Sequence, residues 1–391
     1  MRVIQATFGT FHHFDLAREL EALGQLERIY STFPQWRLRR EGVSPHLVRT
    51  FPPIQVAELL VGRYLPIPAA LKLMVHATVL SFDRWLVRNL TPCDAYVALS
   101  GAGVRSGRRA QELGARYVCD RGSSHIRYQD EIVTEELHRW GIKRRAVDPF
   151  MIEREESEYA LADAITVPSE FARQSFIELG IPADKVIKIP YGVRLERFRR
   201  TGVPPADRFN VLFTGTVGFR KGIPYLLEAF RSLRHPAKHL RIVGPVQNDI
   251  RPWLASQDLD SVEILGRMPQ SRLVEFMSTS HVMVLPSIEE GLALVQGQAL
   301  ACGCPLISSQ NTGGSDLFSH GIEGFIVPIR SAQAIADGLQ QLADDPGLQR
   351  SMSEAALKRV KSLGGWKDYG LQYANFLRTL TTADKAAVPA G

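Results

Sequence analysis

The sequence is poor in cysteine and has no long apolar run. Its 391 residues include only four cysteines, whose irregular spacing matches neither a disulfide framework nor a zinc site, so we expect reduced thiols. No stretch approaches the roughly 20 apolar residues that a membrane-spanning helix needs. The first residues also lack the apolar segment and cleavage site of a signal peptide. These absences predict a cytoplasmic protein, or one that is peripheral at the inner membrane face.

Positive charge is concentrated in the first part of the chain. The net charge is +6, and residues 1–110, with 14 Lys and Arg against 8 Asp and Glu, account for the whole surplus. Five of these arginines stand near apolar residues, namely Arg37, Arg39, Arg40, Arg49 and Arg63 beside Phe51, Leu59, Leu60, Val61, Tyr64 and Leu65. Such a patch suits an anionic membrane or a lipid-phosphate acceptor, but we favour a solvated basic face over ordinary core residues. Because no nucleic-acid-binding motif accompanies the charge, we expect no nucleic-acid partner.

Strand-like and helix-like segments alternate along almost the whole chain, a pattern typical of parallel sheets with helical crossovers. The predicted strands are 2–8, 27–31, 94–99, 115–119, 164–167, 185–189, 209–214, 239–243, 261–265, 281–285, 304–308 and 324–328. We therefore predict an α/β fold of two facing doubly wound Rossmann-like domains. Ligands are expected in the cleft between them, at the carboxyl ends of the strands.

The predicted domain boundary lies between Tyr191 and Phe209, because residues 197–208 are rich in the Arg, Pro, Gly and Asp of a linker. Beyond the second domain, the apolar spacing indicates one more helix, which we expect to pack back toward the first domain, followed by a loose tail. The resulting units are an N-terminal domain at 1–191, a C-terminal domain at 192–365, the helix at 366–381 and the tail at 382–391.

A glycine-punctuated loop follows the first strand of the second half. It reads Gly215-Thr216-Val217-Gly218-Phe219-Arg220-Lys221-Gly222 before a helical pattern begins. The glycines let backbone amides approach a ligand closely, and a helix start favours an anion beside Arg220 and Lys221. This combination predicts a diphosphate site; a tight turn with two exposed cations is the alternative.

A second strand end carries an acidic turn. The strand that ends at Pro286 is followed by this turn, which includes Glu290, and a helix is predicted to begin near Gly291. Glu290 offers a carboxylate to sugar hydroxyls, while the free amides of Gly291 and Leu292 suit the anionic part of the same ligand. Gln298 lies about two turns into the predicted helix.

The segment 286–305 resembles the hallmark of the family 4 glycosyltransferases, which share the GT-B fold. That hallmark has Pro-Ser, two residues, Glu-Gly and then Glu-Ala-x-Ala-x-Gly-x-Pro, with its two glutamates eight positions apart. The chain matches it at Pro286, Ser287, Glu290, Gly291, Ala299, Ala301, Gly303 and Pro305. The loop 215–222 is similar to the family's Gly-Arg, four residues, Lys-Gly pattern. The likeness is strong from about 160 to 380 and thin before that.

Three positions depart from the family's pattern. Gln298 replaces the second glutamate, Thr216 stands where an arginine is usual, and Arg194 stands where an aspartate is usual. The neutral Gln298 is expected to weaken or alter nucleotide binding, and Arg220 is expected to supply the cation that position 216 lacks.

The resemblance implies a retaining, metal-independent transfer from a nucleotide-diphosphate sugar to a hydroxyl acceptor, which is a glycan, a lipid-linked molecule or a small molecule. Glu290 would contact the donor sugar, position 298 the ribose, and Lys221 the leaving diphosphate, whose developing charge it would stabilise. No acidic metal-binding cluster accompanies the cationic loop, so we expect neither a metal nor a cofactor besides the nucleotide sugar. No closely spaced carboxylate pair is evident either, so front-side attack assisted by the departing phosphate is the expected route.

The first half of the chain is expected to bind the acceptor. Gly9 ends the first strand, and its loop leads into His12 and His13, which either approach the phosphates or simply begin a helix.

A further strand end leads into Asp120, Arg121 and, a few residues on, His125. The resemblance implies a histidine in this place, near the acceptor hydroxyl or the donor sugar. His125 is the candidate, with Asp120 or Arg121 as alternatives, and a loop histidine that caps neighbouring backbone is the non-catalytic interpretation.

Three other functions compete with this assignment. Residues 100–107 together with Asp120 imitate a dinucleotide fingerprint, but the third glycine is Ser106 and the unit lies mid-domain, which disfavours a dehydrogenase. A nucleotide-sugar epimerase shares the same fold and donor. A catalytically degenerate nucleotide-binding or scaffold homologue is suggested by the three departures from the family's pattern.

Overall fold

The structure, a computed structural model, describes residues 1–51, 68–194 and 196–382. The strands found there are β1 (Val3–Thr7), β2 (Leu26–Ser31), β3 (Val48–Thr50), β4 (Ala95–Leu99), β5 (Arg116–Asp120), β6 (Ala164–Val167), β7 (Val186–Lys188), β8 (Phe209–Thr214), β9 (Lys238–Val243), β10 (Val262–Gly266), β11 (Val282–Leu285), β12 (Leu306–Ser309) and β13 (Gly324–Val327).

Most of the α-helices in the same residues lie in the connections between the strands, and the last three follow β13. They are α1 (His13–Ala22), α2 (Gln35–Leu38), α3 (Pro68–Asn89), α4 (Val104–Glu112), α5 (Ile126–Arg139), α6 (Pro149–Leu161), α7 (Glu170–Glu178), α8 (Ile223–Ser232), α9 (Arg251–Ala255), α10 (Gln270–Ser278), α11 (Leu294–Ala301), α12 (Gly314–Leu317), α13 (Ala332–Asp344), α14 (Pro346–Leu363) and α15 (Trp366–Thr382).

The strands form two parallel sheets. The first has the order β3-β2-β1-β4-β5-β6-β7 and the second the order β10-β9-β8-β11-β12-β13. In each sheet the chain runs outward in one direction and then returns to run outward in the other, which creates a switch point between β1 and β4 and another between β8 and β11. Open α/β sheets bind their ligands beside such points. The predicted fold class, two doubly wound α/β domains, is confirmed.

Twelve of the thirteen described strands overlap a predicted strand, and the strand missing from the prediction is β3. It has only three residues, of which only Val48 is buried, so it offers no alternation that a sequence pattern can reveal. Two helix starts follow the predictions closely. Ser169 caps α7 by accepting a hydrogen bond from the Ala172 amide at 3.1 Å, and Pro224 lies in the first turn of α8.

One predicted helix start is wrong, and it concerns the site. The helix expected near Gly291 begins only at Leu294. The Glu290 amide donates to the carbonyl of Asn311 at 2.9 Å, and the Ala293 amide donates to that of Thr312 at 3.2 Å. These bonds hold the chain beside the loop after β12 and delay the helix.

The last of the described helices packs on the first domain. Tyr369 and Tyr373 of α15 are buried together with residues of α1, and Gly370 lies so close to Glu19 that a Cβ there would overlap its side chain. The hydroxyls of Tyr373 and Thr166 are 3.0 Å apart, which connects α15 to β6.

The helix α5 of the first domain is embedded in the second. Val133 and Leu137 are buried in the same apolar cluster as β8 and α8. The buried Glu136 carboxylate accepts from Arg330 Nε at 2.7 Å and from the hydroxyl of Tyr225 at 2.9 Å. Apolar burial and a shielded ion pair therefore hold the two domains together at this point.

The basic patch read from the sequence is only partly described. Arg39, Arg40 and Arg49 are exposed, and the Arg37 guanidinium stacks 4.0 Å from the centre of the Phe33 ring. Its other members, Leu59, Leu60, Val61, Arg63, Tyr64 and Leu65, lie outside the described residues, as does the tail from 383 onward. None of the described helices combines the length and the apolarity that crossing a membrane requires.

Candidate active site

The loops after β8 and β11 pack tightly against each other. Gly222 has a φ of +69°, and a Cβ there would overlap the carbonyl oxygen of Pro286. A side chain at position 222 would therefore be both strained and obstructed. The Ile288 amide donates to the carbonyl of Arg220 at 2.8 Å, which joins the two loops at a second place. This contact brings the predicted cations next to the predicted acidic turn.

Both cations of the first loop pair with a glutamate of the second. Arg220 Nη1 donates to the Glu289 carbonyl at 3.0 Å and to its carboxylate at 3.2 Å, and Lys221 Nζ contacts Glu290 Oε1. Burial and the neighbouring Arg220 lower the pKa of Lys221 to about 7, while the Glu289 carboxylate opposes that shift. Without a ligand the cluster is close to neutral, so an incoming diphosphate would compete with the two carboxylates for the cations.

Glu289 is the functional residue that sequence reasoning missed. Its carboxylate is fully buried and accepts from Ser123 Oγ at 2.6 Å, Ser124 Oγ at 2.8 Å and Gln129 Nε2 at 2.9 Å, all in the first domain. Burial alone would raise the pKa of Glu289, but Arg220 and these hydrogen bonds outweigh it and hold the pKa below its ordinary value. The only signal in the sequence was a pair of adjacent glutamates at a strand end.

The amides of Gly291 and Leu292 make no hydrogen bond to any described residue. Both residues are buried where the second domain touches the first, and a Cβ on Gly291 would overlap the Gly122 carbonyl. The Gly291 carbonyl itself accepts from Ser169 Oγ at 2.5 Å. Buried amides without a partner are costly, and an anionic ligand would satisfy them.

A cavity of about 470 Å³ lies between the domains. Residues of both domains line it, among them Phe11, His12, Ser100, Gly122, Ser123, Tyr191, Leu292 and Leu294. Ser123 and Leu292 are direct neighbours of the Glu289 network and of the free amides. Ser123 and the Glu289 carboxylate thus connect the cavity to Arg220 of the cationic loop.

His12 lines this cavity in the first domain, and behind it lie the buried side chains of Asp120 and His13. His12 Nε2 lies 2.6 Å from Asp120 Oδ2, whose other oxygen accepts from Thr166 Oγ1 at 2.8 Å. His13 Nε2 is 3.2 Å from the same carboxylate. Burial lowers the pKa of His13 to about 3. Burial alone would raise the pKa of Asp120, but the two histidines outweigh it and hold that pKa below its ordinary value. The carboxylate thus orients His12 at the cavity surface.

His125 lies elsewhere. It is 4% exposed, and its Nδ1 accepts from the Arg127 amide at 3.2 Å, so it caps the start of α5. Its ring packs against Tyr159 and Phe176, and burial lowers its pKa to about 4. The structure therefore gives His125 the capping position, and it places His12 on the cavity instead. The catalytic assignment of His125 stays a prediction that its position does not favour.

Arg121 and Gly9 hold loops in place. The Arg121 side chain is 11% exposed, and it donates to the Ser124 carbonyl at 3.0 Å and to Gln129 Oε1 at 2.8 Å, which fixes the loop that reaches Glu289. Gly9 has a φ of +70°, and its amide donates to Thr32 Oγ1 at 3.1 Å. Arg121 thus acts on the cleft through Ser124 and Gln129, whereas Gly9 fixes the turn that leads to His12.

The three departures from the family's pattern differ in their surroundings. The side chains of Thr216 and Gln298 are half-buried and make no hydrogen bond to described residues. Arg194 bonds to the carboxylate of Asp15 at the start of α1. Its charge is therefore used to join the linker to the first domain.

Two groups have the composition of a metal site. Among the described residues, His12, His13 and Asp120 are the one set of three that places metal-ligating atoms within 4.8 Å of one another. The chain also contains one Asp-x-Asp, Asp258-Leu259-Asp260, which is exposed before the amino end of β10 and hence at the sheet edge opposite the cationic loop. Neither group adjoins Arg220 and Lys221 through a described contact.

The dinucleotide-like loop after β4 is occupied by a side chain. The amides of Gly101 and Gly103 donate to the two oxygens of Glu158, each at 2.6 Å. Burial raises the pKa of Glu158 to about 8, although Arg154 opposes this. A carboxyl group thus takes the place that a dinucleotide phosphate would need, which agrees with rejecting a dehydrogenase.

Two facing doubly wound domains, with their carboxyl edges turned toward one cleft, define a class of α/β proteins whose ligands lie between the sheets. Comparison with known families specifies the class. Residues 14–192 match the glycosyl transferase 4-like domain, and residues 196–359 match the glycosyl transferases group 1. The chain belongs to this glycosyltransferase family, and the resemblance read from segment 286–305 is confirmed.

Curated relatives match part of the chain. An alpha-D-kanosaminyltransferase of Streptomyces kanamyceticus is 27% identical over 237 residues, which cover 56% of this chain and 61% of the relative. A D-inositol 3-phosphate glycosyltransferase of Pseudarthrobacter chlorophenolicus is 29% identical over 235 residues, which cover 54% of this chain and 56% of the relative. The chain thus spans little more than half the length of these relatives.

Among solved structures, HepE of Anabaena in complex with UDP superposes with a TM-score of 0.70 at 16% identity, covering 97% of this chain and all of the other. At 16% identity, this structural similarity shows that the two proteins share a fold. That fold is the predicted GT-B arrangement of two Rossmann-like domains.

Proposed function

We propose that the protein is a retaining glycosyltransferase that moves a sugar from a nucleotide-diphosphate sugar to a hydroxyl acceptor without a metal ion. One observation carries the proposal: the cations Arg220 and Lys221 lie in the loop after β8, packed against the loop that holds the free amides of Gly291 and Leu292. This is a site for a diphosphate at the carboxyl edge of a doubly wound sheet.

The chemistry that such a site favours is departure of the diphosphate. The bond between the anomeric carbon and the diphosphate oxygen breaks, and its electron pair leaves with the oxygen. Arg220 and Lys221 stabilise the charge that develops there. The acceptor oxygen forms the new bond on the same face of the sugar, and its proton passes to the departing phosphate. Because this route forms no covalent bond between the sugar and the protein, it needs neither Glu289 nor Glu290 as a nucleophile.

Donor binding would rearrange the two ion pairs. Lys221 contacts Glu290 when no ligand is present. A diphosphate competes for the ammonium and frees the Glu290 carboxylate, which then accepts hydrogen bonds from the donor sugar. This exchange gives the contact between Lys221 and Glu290 a role in donor binding.

The acceptor is proposed to occupy the cavity beside His12. The imidazole is oriented by Asp120 and stands next to Tyr191, whose hydroxyl lies 3.4 Å from His12 Nε2. Such a pair can position a hydroxyl group in front of the donor sugar. Glycans, lipid-linked molecules and small molecules remain the acceptor classes that the proposal covers.

A UDP-sugar is the first donor to test, because HepE, a protein of the same fold, has been solved with UDP and with UDP-glucose. The test incubates the protein with UDP-, GDP-, ADP-, CDP- and dTDP-sugars in EDTA, with and without lipid and glycan extracts. We expect acceptor-dependent release of one nucleoside diphosphate and retention of the anomeric configuration in the product.

Other outcomes separate the alternatives. An isomerised sugar formed without any acceptor would identify an epimerase of the same fold. Binding of a nucleotide without turnover under any condition would identify a degenerate homologue. Activity that EDTA abolishes and Mn²⁺ restores would contradict the metal-free mechanism. In an active protein, Lys221→Ala is expected to lower kcat about 100-fold.

A further inference from the structure

Five of the eight residues that line a groove between α3 and α4 are arginines. It has a volume of about 570 Å³, and its charged lining residues are Arg84, Arg88, Arg105, Arg108, Arg109 and Glu112. Glu112 pairs with Arg109 at 3.1 Å. None of the other four arginines has an acidic partner within the described part of the chain, and all four are exposed.

The buried carboxylate of Asp83, the residue before Arg84, already has partners other than the exposed arginines. Asp83 is 1% exposed and accepts from the amides of Arg105 and Ser106 at 3.0 and 2.8 Å. It also pairs with Arg154 at 2.7 Å. Asp83 therefore caps α4 and neutralises Arg154, and it leaves the charge of the exposed arginines uncompensated. This groove lies outside the arginine patch expected from the sequence.

The same face of α3 carries exposed apolar residues. Leu73, Leu80, Arg84 and Val87 follow one another at spacings of seven, four and three residues, so they share one side of the helix. Leu73 is 69% exposed, and Leu80 and Val87 are partly exposed. Apolar and cationic side chains mixed on one accessible helix face are typical of helices that lie on a membrane surface.

We propose that this arginine groove, with the adjoining face of α3, docks on the anionic headgroups of a lipid bilayer. Charge complementarity selects the partner, and the exposed Leu73 gives it an apolar layer to enter. A single-stranded nucleic acid would use aromatic platforms for its bases, whereas Phe82 and Trp85 of α3 pack inward on the core. A lone phosphate would make no use of the apolar stripe.

The location fits a membrane-bound acceptor. The helix α4 begins shortly after Ser100, which lines the cavity between the domains. Docking through Arg105 and Arg108 would bring that cavity close to the lipid surface. The docking proposal stands apart from the transferase reaction, because vesicle binding is measured without substrate.

The test is flotation of the full chain with vesicles. Wild type is expected to float with equal parts of phosphatidylcholine and phosphatidylglycerol and not with phosphatidylcholine alone. The variant with Arg84, Arg88, Arg105 and Arg108 all changed to Gln should bind the anionic vesicles at least tenfold more weakly, since each basic residue contributes about fivefold. A matched variant with Arg234, Arg251, Arg272 and Arg350 changed to Gln has the same net charge and should bind within about twofold of wild type.

Two further experiments distinguish a lipid surface from free phosphate as the ligand. Leu73→Ser should reduce binding at least threefold at high salt, where the arginines are screened. Inorganic phosphate at matched ionic strength should not displace the protein more than chloride does. Equal binding by the two quadruple variants, no binding by wild type, no effect of Leu73→Ser, or specific displacement by phosphate would each overturn the proposal.

Discussion

The carboxylate of Glu289 in the second domain accepts a hydrogen bond of 2.6 Å from Ser123 Oγ in the first. Ser124 and Gln129 donate to the same carboxylate, and Arg220 of the cationic loop pairs with it. A single buried side chain thus joins the loop that faces the acceptor cavity to the loop proposed to hold the diphosphate. Glu289 thus links the first domain directly to the cationic loop of the second.

Removing this carboxylate should destabilise the protein. Glu289→Ala leaves Arg220 and three first-domain donors without their partner, and the expected loss is about 3 kcal/mol in the free energy of unfolding. The measurement is equilibrium unfolding in urea. Glu228→Ala, at an exposed position of α8, is the matched control and should change stability by less than about 0.5 kcal/mol. Equal stability of both variants would show that the buried network contributes nothing.

The affinity for nucleotide should depend on pH through Lys221. Its pKa of about 7 means that the side chain is charged below pH 7 and increasingly neutral above it. Binding a diphosphate requires the ammonium, so above pH 7 a proton must be taken up and the affinity for UDP should fall by up to about tenfold per pH unit. Calorimetric titration of UDP measures this. Lys221→Arg stays charged and should remove the dependence; a parallel slope in both proteins would contradict the assignment.

Glu290 should affect transfer without weakening nucleotide binding. Glu290→Ala removes the carboxylate proposed to hold the donor sugar, and kcat/KM is expected to fall about 100-fold. UDP should bind at least as tightly as before, because Lys221 loses a competing carboxylate. Glu290→Gln keeps part of the hydrogen bonding, so its kcat/KM should lie between that of the wild type and that of Glu290→Ala. A near-normal kcat/KM in the alanine variant would remove Glu290 from the sugar site.

A substitution at position 298 should change the affinity for UDP through the ribose hydroxyls. Gln298→Glu introduces the residue that is usual in the family and should tighten UDP binding about fivefold, because a carboxylate accepts hydrogen bonds from a diol more strongly than an amide does. The gain should be absent for 2′-deoxy-UDP, which lacks one of the hydroxyls. An equal gain for both nucleotides would indicate that the residue faces another part of the ligand.

The sequence predicted those features that local patterns determine. Apolar runs bounded by glycine and polar residues located the strands, and the loop from Gly215 to Gly222 was identified as cationic because its charges follow directly after β8. The tight contact of this loop with Pro286 follows from the pairing of β8 with β11, which the doubly wound order already implies.

Features that depend on contacts between distant segments could not be predicted. Glu289 and Ser123 are 166 residues apart, and no local pattern reveals that they meet. The helix α11 begins at Leu294 because the amides of Glu290 and Ala293 bond to the loop after β12. The spacing of apolar residues along a helix does not reveal such a contact. His12 and His125 could not be told apart from the sequence either, since only packing decides which imidazole is buried and which faces the cavity.

The proposed transfer depends on a metal-independent diphosphate site at Arg220 and Lys221. A thermal-shift panel of UDP, GDP, ADP, CDP and dTDP in EDTA tests it most directly, with the wild type beside the double variant Arg220→Ala/Lys221→Ala. We predict that one nucleotide raises the Tm of the wild type, that EDTA leaves this shift unchanged, and that the double variant loses it. No shift with any nucleotide at millimolar concentration, or an equal shift in the double variant, would contradict the account.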